Sequence, residues 1–115
     1  MSWQVTFLNE KKFEKLLHKF RPPTRNLIAK RVIGSLTEYG AGVATTDSGR
    51  ALGGGLFEFK LDMSPEVLLR VFFVVRGNSV IVILSAYDKK SNDSRTWQNR
   101  QILAARKLLK VLDAK

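Results

Sequence analysis

Leu56-Phe57-Glu58-Phe59-Lys60-Leu61-Asp62, Leu68-Leu69-Arg70-Val71-Phe72-Phe73-Val74-Val75-Arg76 and Ser79-Val80-Ile81-Val82-Ile83-Leu84-Ser85-Ala86-Tyr87-Asp88-Lys89 are the three runs that decide the fold. In the first, Phe57, Phe59 and Leu61 alternate with Glu58, Lys60 and Asp62, the period of a half-buried strand. The other two predict strands over 68–76 and 79–89, joined by Gly77-Asn78, a two-residue loop suited to the positive φ angles of a tight hairpin. Three successive strands with short links predict an antiparallel meander.

Toward the N-terminus, residues 3–8 read as a short strand. Phe13, Leu16, Leu17 and Phe20 then recur at helical spacing, with Lys11, Lys12, Lys15 and Lys19 elsewhere on the helix. Pro22-Pro23 stops this helix, Thr24 is placed to cap the next, and Leu27, Ile28, Val32, Leu36 and Tyr39 carry a second stripe to Gly40. Two helices in a hairpin are expected. Residues 40–55 hold glycines at 40, 42, 49, 53, 54 and 55 and predict a mobile loop. No Lys-Ser or Lys-Thr follows the three consecutive glycines, which excludes a phosphate-cradling nucleotide loop. Beyond Lys90, the polar run Ser91-Asn92-Asp93-Ser94 leads into a last helix with Ile102, Ala105, Leu109 and Leu112 on one side. Helices, then sheet, then helix give an α+β layout in one domain over residues 1–115.

Twenty basic side chains stand against ten acidic ones in 115 residues, a formal charge of +10. The excess sits at the ends: residues 1–40 and 88–115 each carry eight basic and three acidic groups, whereas 41–87 carry four of each. Such a surplus concentrates polyanions, so nucleic acid or an acidic protein is the expected partner. With no cysteine there is no disulfide framework, thiolate metal site or thiol nucleophile. The apolar runs are far shorter than the roughly 20 residues of a membrane span, and the N-terminus lacks signal-peptide features; a cytoplasmic protein is expected.

If Gly77-Asn78 sets the register, Arg76 faces Ser79, Arg70 faces Ser85 and Leu68 faces Tyr87. Arg70, Ser85, Tyr87 and Lys89 then share one side, and Val71, Phe73, Val75, Val80, Val82, Leu84 and Ala86 form an apolar other side. Glu58 and Lys60 fall with Arg70 and Tyr87. Phe72 adds an aromatic group that suits stacked single-stranded bases. This set matches metal-independent RNA cleavage through the neighbouring 2′-hydroxyl, which needs a base, cations on the phosphate and an acid for the leaving oxygen. Arg70 and Lys60 are the natural phosphate stabilisers, Glu58 a candidate base, and Tyr87 or Lys89 a candidate acid. The single histidine, His18, is expected to face solvent, so no histidine pair exists, and no metal or other cofactor is expected.

Gly54-Gly55-Leu56-Phe57-Glu58-Phe59, Leu69-Arg70-Val71-Phe72-Phe73 and Tyr87-Asp88-Lys89-Lys90 before a basic helix resemble the RelE/ParE toxin superfamily, especially its phage-derived, HigB-like branch. The resemblance covers about residues 50–110. It implies a RelE-like toxin of a type II toxin-antitoxin pair that enters the ribosome and cuts messenger RNA, with a helix-turn-helix antitoxin as cognate partner. It matches Arg70 to the arginine at the scissile phosphate and Lys89-Lys90 to the basic pair after the last strand. Arg50, Phe72, Arg76, Lys90, Arg95 and Arg100 are then the RNA-binding set. Where relatives carry His-Gly-aromatic, this chain has Ser85-Ala86-Tyr87; where they carry Thr-Pro after the basic pair, it has Asn92-Asp93. The competing readings are a ParE-like inhibitor of DNA gyrase and a non-catalytic RNA-binding module.

Overall fold

The computed structural model describes residues 2–90 and 94–114. β1 (Gln4–Phe7) leads into α1 (Glu10–Leu17) and α2 (Pro22–Tyr39), then a short 3-10 turn (Gly40–Thr45). Four strands follow, β2 (Gly49–Gly53), β3 (Leu56–Met63), β4 (Val67–Arg76) and β5 (Val80–Asp88), and α3 (Arg95–Asp113) closes the fold. The sheet order is β1-β5-β4-β3-β2, antiparallel from β2 to β5, with β1 parallel to β5 at the edge. This is an α+β fold with N-terminal helices, a mixed sheet and a C-terminal helix, consistent with the RelE-like arrangement expected. Among the described residues no helix is long and apolar enough to cross a membrane.

Local chemistry sets the helix ends. The Asn9 side chain accepts a hydrogen bond from the Lys12 N–H at 3.2 Å, and Ser94 accepts from the Trp97 N–H at 3.0 Å; each such cap is worth about 1 kcal/mol. Thr24 does not cap α2. Pro22 and Pro23 occupy its first turn, where a missing N–H costs nothing, and the extended Arg21 precedes them. α2 ends at Gly40, with φ of 51°, where Trp3 lies against the backbone so closely that a Cβ would stand 2.1 Å from the indole.

The helical hairpin packs Phe13, Leu17, Ile28, Val32 and Leu36 on one face of the sheet, against Phe59, Leu69, Val71, Phe73, Ile81 and Ile83. Leu27 and Tyr39, expected in the same stripe, are exposed. α3 packs on the other face, where Ala105, Ile102, Leu108, Leu109 and Leu112 meet Leu56, Phe72, Val74, Leu84 and Tyr87. Both faces of the sheet therefore carry core, because α3 covers most of the face expected to be open.

The hairpin register differs from the expected one in two ways. The loop holds three residues, since Arg76 pairs with Val80, and the strands slip by one residue between Phe72 and Phe73. Before the slip Phe73 pairs with Ile83; after it Phe72 pairs with Ser85, Val71 with Ala86 and Arg70 with Tyr87. Leu84 is the additional residue of this bulge. The three-residue loop turns Val82 and Leu84 to the α3 face, away from Val71 and Phe73, and the bulge brings Tyr87 back beside Arg70. The two deviations offset each other for Tyr87. The glycine-rich stretch is also more ordered than expected: residues 40–45 form the 3-10 turn and 49–53 are β2, paired with β3.

Candidate functional site

Two cross-strand rows build the polar end of the α3 face. Lys60 on β3 pairs with Arg70 on β4, which pairs with Tyr87 on β5. In the neighbouring row, Arg50 on β2 pairs with Glu58, Glu58 with Phe72, and Phe72 with Ser85. Side chains of one row on one face lie about 5 Å apart at Cβ, so the register alone gathers these groups.

Glu58 is the electrostatic centre. Its carboxylate, only 2% exposed, accepts from Arg70 Nη1 on Oε1, from Arg50 Nε on Oε1 at 3.2 Å and from Arg50 Nη2 on Oε2 at 3.4 Å. The Arg70 side chain is 12% exposed and that of Arg50 51% exposed, so one guanidinium lies inside the protein and the other reaches into solvent. A carboxylate clamped between two guanidinia is a counter-ion, which holds both arginines in place. The base role expected of Glu58 needs a carboxylate open to substrate.

A cavity of about 290 Å³ opens over this pair, lined by Asp47, Ser48, Gly49, Arg50, Glu58, Lys60, Arg70 and Gln98. Lys60 and Arg70, expected to hold a phosphate, both line it, and Arg50 joins them. Asp47, Ser48 and Gln98 were not anticipated. Asp47 and Ser48 precede β2, whose pairing was not foreseen, and Gln98 is an ordinary polar residue of α3 until that helix is laid across the sheet.

Tyr87 and Phe72 depart from expectation. Phe72 is fully buried and stacks on Tyr87 with ring centroids 6.1 Å apart and an interplanar angle of 17°. Covered by α3, Phe72 offers no face to a base. Tyr87 is itself buried, and burial pushes its phenol above the usual tyrosine value; Glu58 acts in the same direction, while Arg70 and Arg50 act against it. Its hydroxyl, Arg70 Nε and Ser85 Oγ are buried with no hydrogen-bond partner among the described residues. The acid expected at Tyr87 is thus protonated but shut away from the cavity.

The other cations disperse. Lys89 is half-buried after β5, with its backbone N–H on the Leu68 carbonyl at 2.8 Å, and does not line the cavity. Lys90 is exposed and donates its backbone N–H to Asp88 Oδ1 at 2.9 Å. Arg76 stands six residues along β4 from Arg70, about 20 Å away, and is paired with Asp113 of α3. Arg95 and Arg100 are exposed on α3, Arg95 on the face of Gln98 one turn earlier. His18 faces solvent as expected. Asn92 and Asp93, where the sequence departs from HigB-like relatives, lie outside the described residues. Among the described residues no group of three His, Cys, Asp or Glu is placed to hold a metal ion.

A family model described as phage derived protein Gp49-like (DUF891) matches residues 16–110 of the chain. No curated protein and no solved structure matches it.

Proposed function

The chain belongs to the Gp49-like family of phage derived proteins, and on that premise we propose that it is the toxin of a type II toxin-antitoxin pair, cutting messenger RNA on the ribosome. The carrying observation is the polar cavity in which Lys60, Arg70 and Arg50 converge while Glu58 fixes both guanidinia. Glu58 occupies Nη1 of Arg70 and Nε is buried, so Nη2 is the Arg70 donor left for a phosphodiester oxygen in the cavity.

In this reading the RNA 2′-oxygen attacks phosphorus, the bond to the 5′-oxygen breaks, and a 2′,3′-cyclic phosphate and a 5′-hydroxyl result. Arg70 and Arg50 carry the charge that builds on the phosphoryl oxygens, and the Lys60 ammonium gives its proton to the leaving oxygen. Asp47 is the lining carboxylate that Glu58's arginines leave unclamped, and it takes the 2′-hydroxyl proton. The resemblance to RelE/ParE toxins and the basic helices support a ribosomal target and a helix-turn-helix antitoxin as the neutralising partner.

Mapping transcript 5′ ends with and without ribosomes tests this. Lys60→Ala and Arg70→Ala should each lower cutting about 100- to 1000-fold and relieve growth arrest. Lys60 has no ion pair to lose among the described residues, so its variant separates chemistry from folding. Undiminished cleavage by a folded Lys60→Ala protein would overturn the site. Loss of supercoiling activity with intact messenger would favour gyrase inhibition instead.

A further inference from the structure

A second concavity, of about 410 Å³, lies away from the cationic cavity, between α1 and α3. Leu8 and Phe13 form one wall, Ala104, Leu108 and Val111 the other, and β5 around its bulge the floor. β1 pairs with β5 only as far as Ile83, so the chain leaves the sheet at the point where this groove begins. The α3 wall is a helical row, and Val111 within it is 55% exposed, a large apolar side chain that this chain leaves uncovered.

The rim is cationic. Lys12 of α1 lines the groove itself, and Arg100 and Lys107, both exposed, fall in the helical row 100, 104, 107, 111 along its lip. No carboxylate is found among the described residues lining it. We infer that this groove docks an acidic amphipathic helix of a partner protein, its apolar face on Leu8, Phe13, Leu108 and Val111 and its carboxylates on Lys12, Arg100 and Lys107. A second copy of the chain would bring the same cationic rim and a net charge of +10 against this one, and would be repelled. RNA phosphates would meet donors at the rim, but the Leu8, Phe13, Ala104, Leu108 and Val111 walls offer them none. An acidic helix satisfies both the apolar floor and the basic lip. The inference does not rest on the nuclease reading, since it uses no residue of the cationic cavity.

The probe is a synthetic helical peptide of about 18 residues with leucine at i, i+3, i+4 and i+7 and glutamate elsewhere, followed by fluorescence anisotropy on the full chain. A shuffled peptide of the same composition, lacking an apolar face, is the control. Ala104→Trp, which fills the groove, and Lys12→Glu, which reverses its rim charge, both change exposed positions and should leave the circular dichroism unchanged. The expected result is binding at least tenfold tighter for the amphipathic peptide than for the shuffled one, with a tenfold or greater loss for each variant. Lys60→Ala protein should bind like the parent, whatever its cleavage activity. Equal binding of both peptides, or parental affinity in Ala104→Trp, would overturn the inference, as would a parent dimer that Ala104→Trp dissociates.

Discussion

Substituting Glu58→Gln removes a charge but almost no volume, and its effect distinguishes a buried counter-ion from a catalytic base. Glu58 is 2% exposed and the Arg70 side chain 12% exposed, so the variant leaves a guanidinium inside the protein with no anion. Breaking a buried pair from one side costs about 3–5 kcal/mol. With an unfolding entropy of about 0.24 kcal/mol/K for a chain of this length, that lowers Tm by about 12–20 °C. Arg50→Ala is the internal contrast. Its side chain is 51% exposed and solvent-screened, so removing it should cost about 0–1 kcal/mol, a Tm change under about 4 °C. A double variant, Glu58→Gln with Arg70→Met, should recover much of the loss, because the buried charge is gone and Arg50, left unpaired, is screened by solvent. Calorimetric melting of the parent, Glu58→Gln, Arg70→Met and the double variant gives the cycle, with Arg50→Ala melted beside them. If Glu58→Gln melts within about 4 °C of the parent, as Arg50→Ala should, the carboxylate is not the anchor described and its service as a free base returns to consideration.

Other substitutions test the surroundings. Tyr87→Phe, which removes a buried hydroxyl lacking a partner, should leave stability unchanged or raise it by up to about 1 kcal/mol, and should leave cleavage intact; a selective loss of cleavage would restore Tyr87 as the acid. Because the Tyr87 phenol is raised in the folded state, its contribution is fully present below the ordinary tyrosine value and lost as pH rises through the folded one, so alkaline denaturation should be less steep in Tyr87→Phe; phenolate absorbance in a Tyr39→Phe background, where Tyr87 is the sole tyrosine, reads the shift. Arg106 donates to the Leu52 carbonyl at 2.7 Å and the Gly53 carbonyl at 3.0 Å, tying α3 to the β2–β3 turn, and Arg106→Ala should cost about 1–3 kcal/mol and speed amide exchange in β2. Gly40→Ala forces a methyl into Trp3 at a positive φ and should cost about 2–4 kcal/mol, measured by urea unfolding.

The alternation of Phe57, Phe59 and Leu61 with Glu58 and Lys60 carried most of what was legible, since a period of two assigns faces without knowing what covers them. Arg70 and Lys60 were placed together for that reason, and they line one cavity. The bulge at Leu84 was hidden because an inserted residue has no side-chain signature when its neighbours are all apolar. β2 was hidden because Gly49, Ala51 and Gly53 have no strand preference of their own and are held by pairing with β3. Phe72 and Tyr87 were misjudged as open groups because a strand pattern names a face, while the placement of α3 over that face depends on tertiary packing. The clamp on Glu58 needed β2 in place before Arg50 could be seen as its second partner.

The parallel pairing of Gln4–Phe7 with Val80–Ile83 joins the beginning of the chain to a strand made 76 residues later. At synthesis rates of about 5–20 residues per second, the first strand waits about 4–15 s for its neighbour to emerge. Until then α1 and α2 have no complete sheet to lie on, so the nascent polypeptide matures from its far end backwards. Chains truncated before residue 79 should accordingly leave the Gln4 and Leu8 amides, which donate to the Ser79 and Ile83 carbonyls in the full chain, unprotected from hydrogen exchange, however well the helices form.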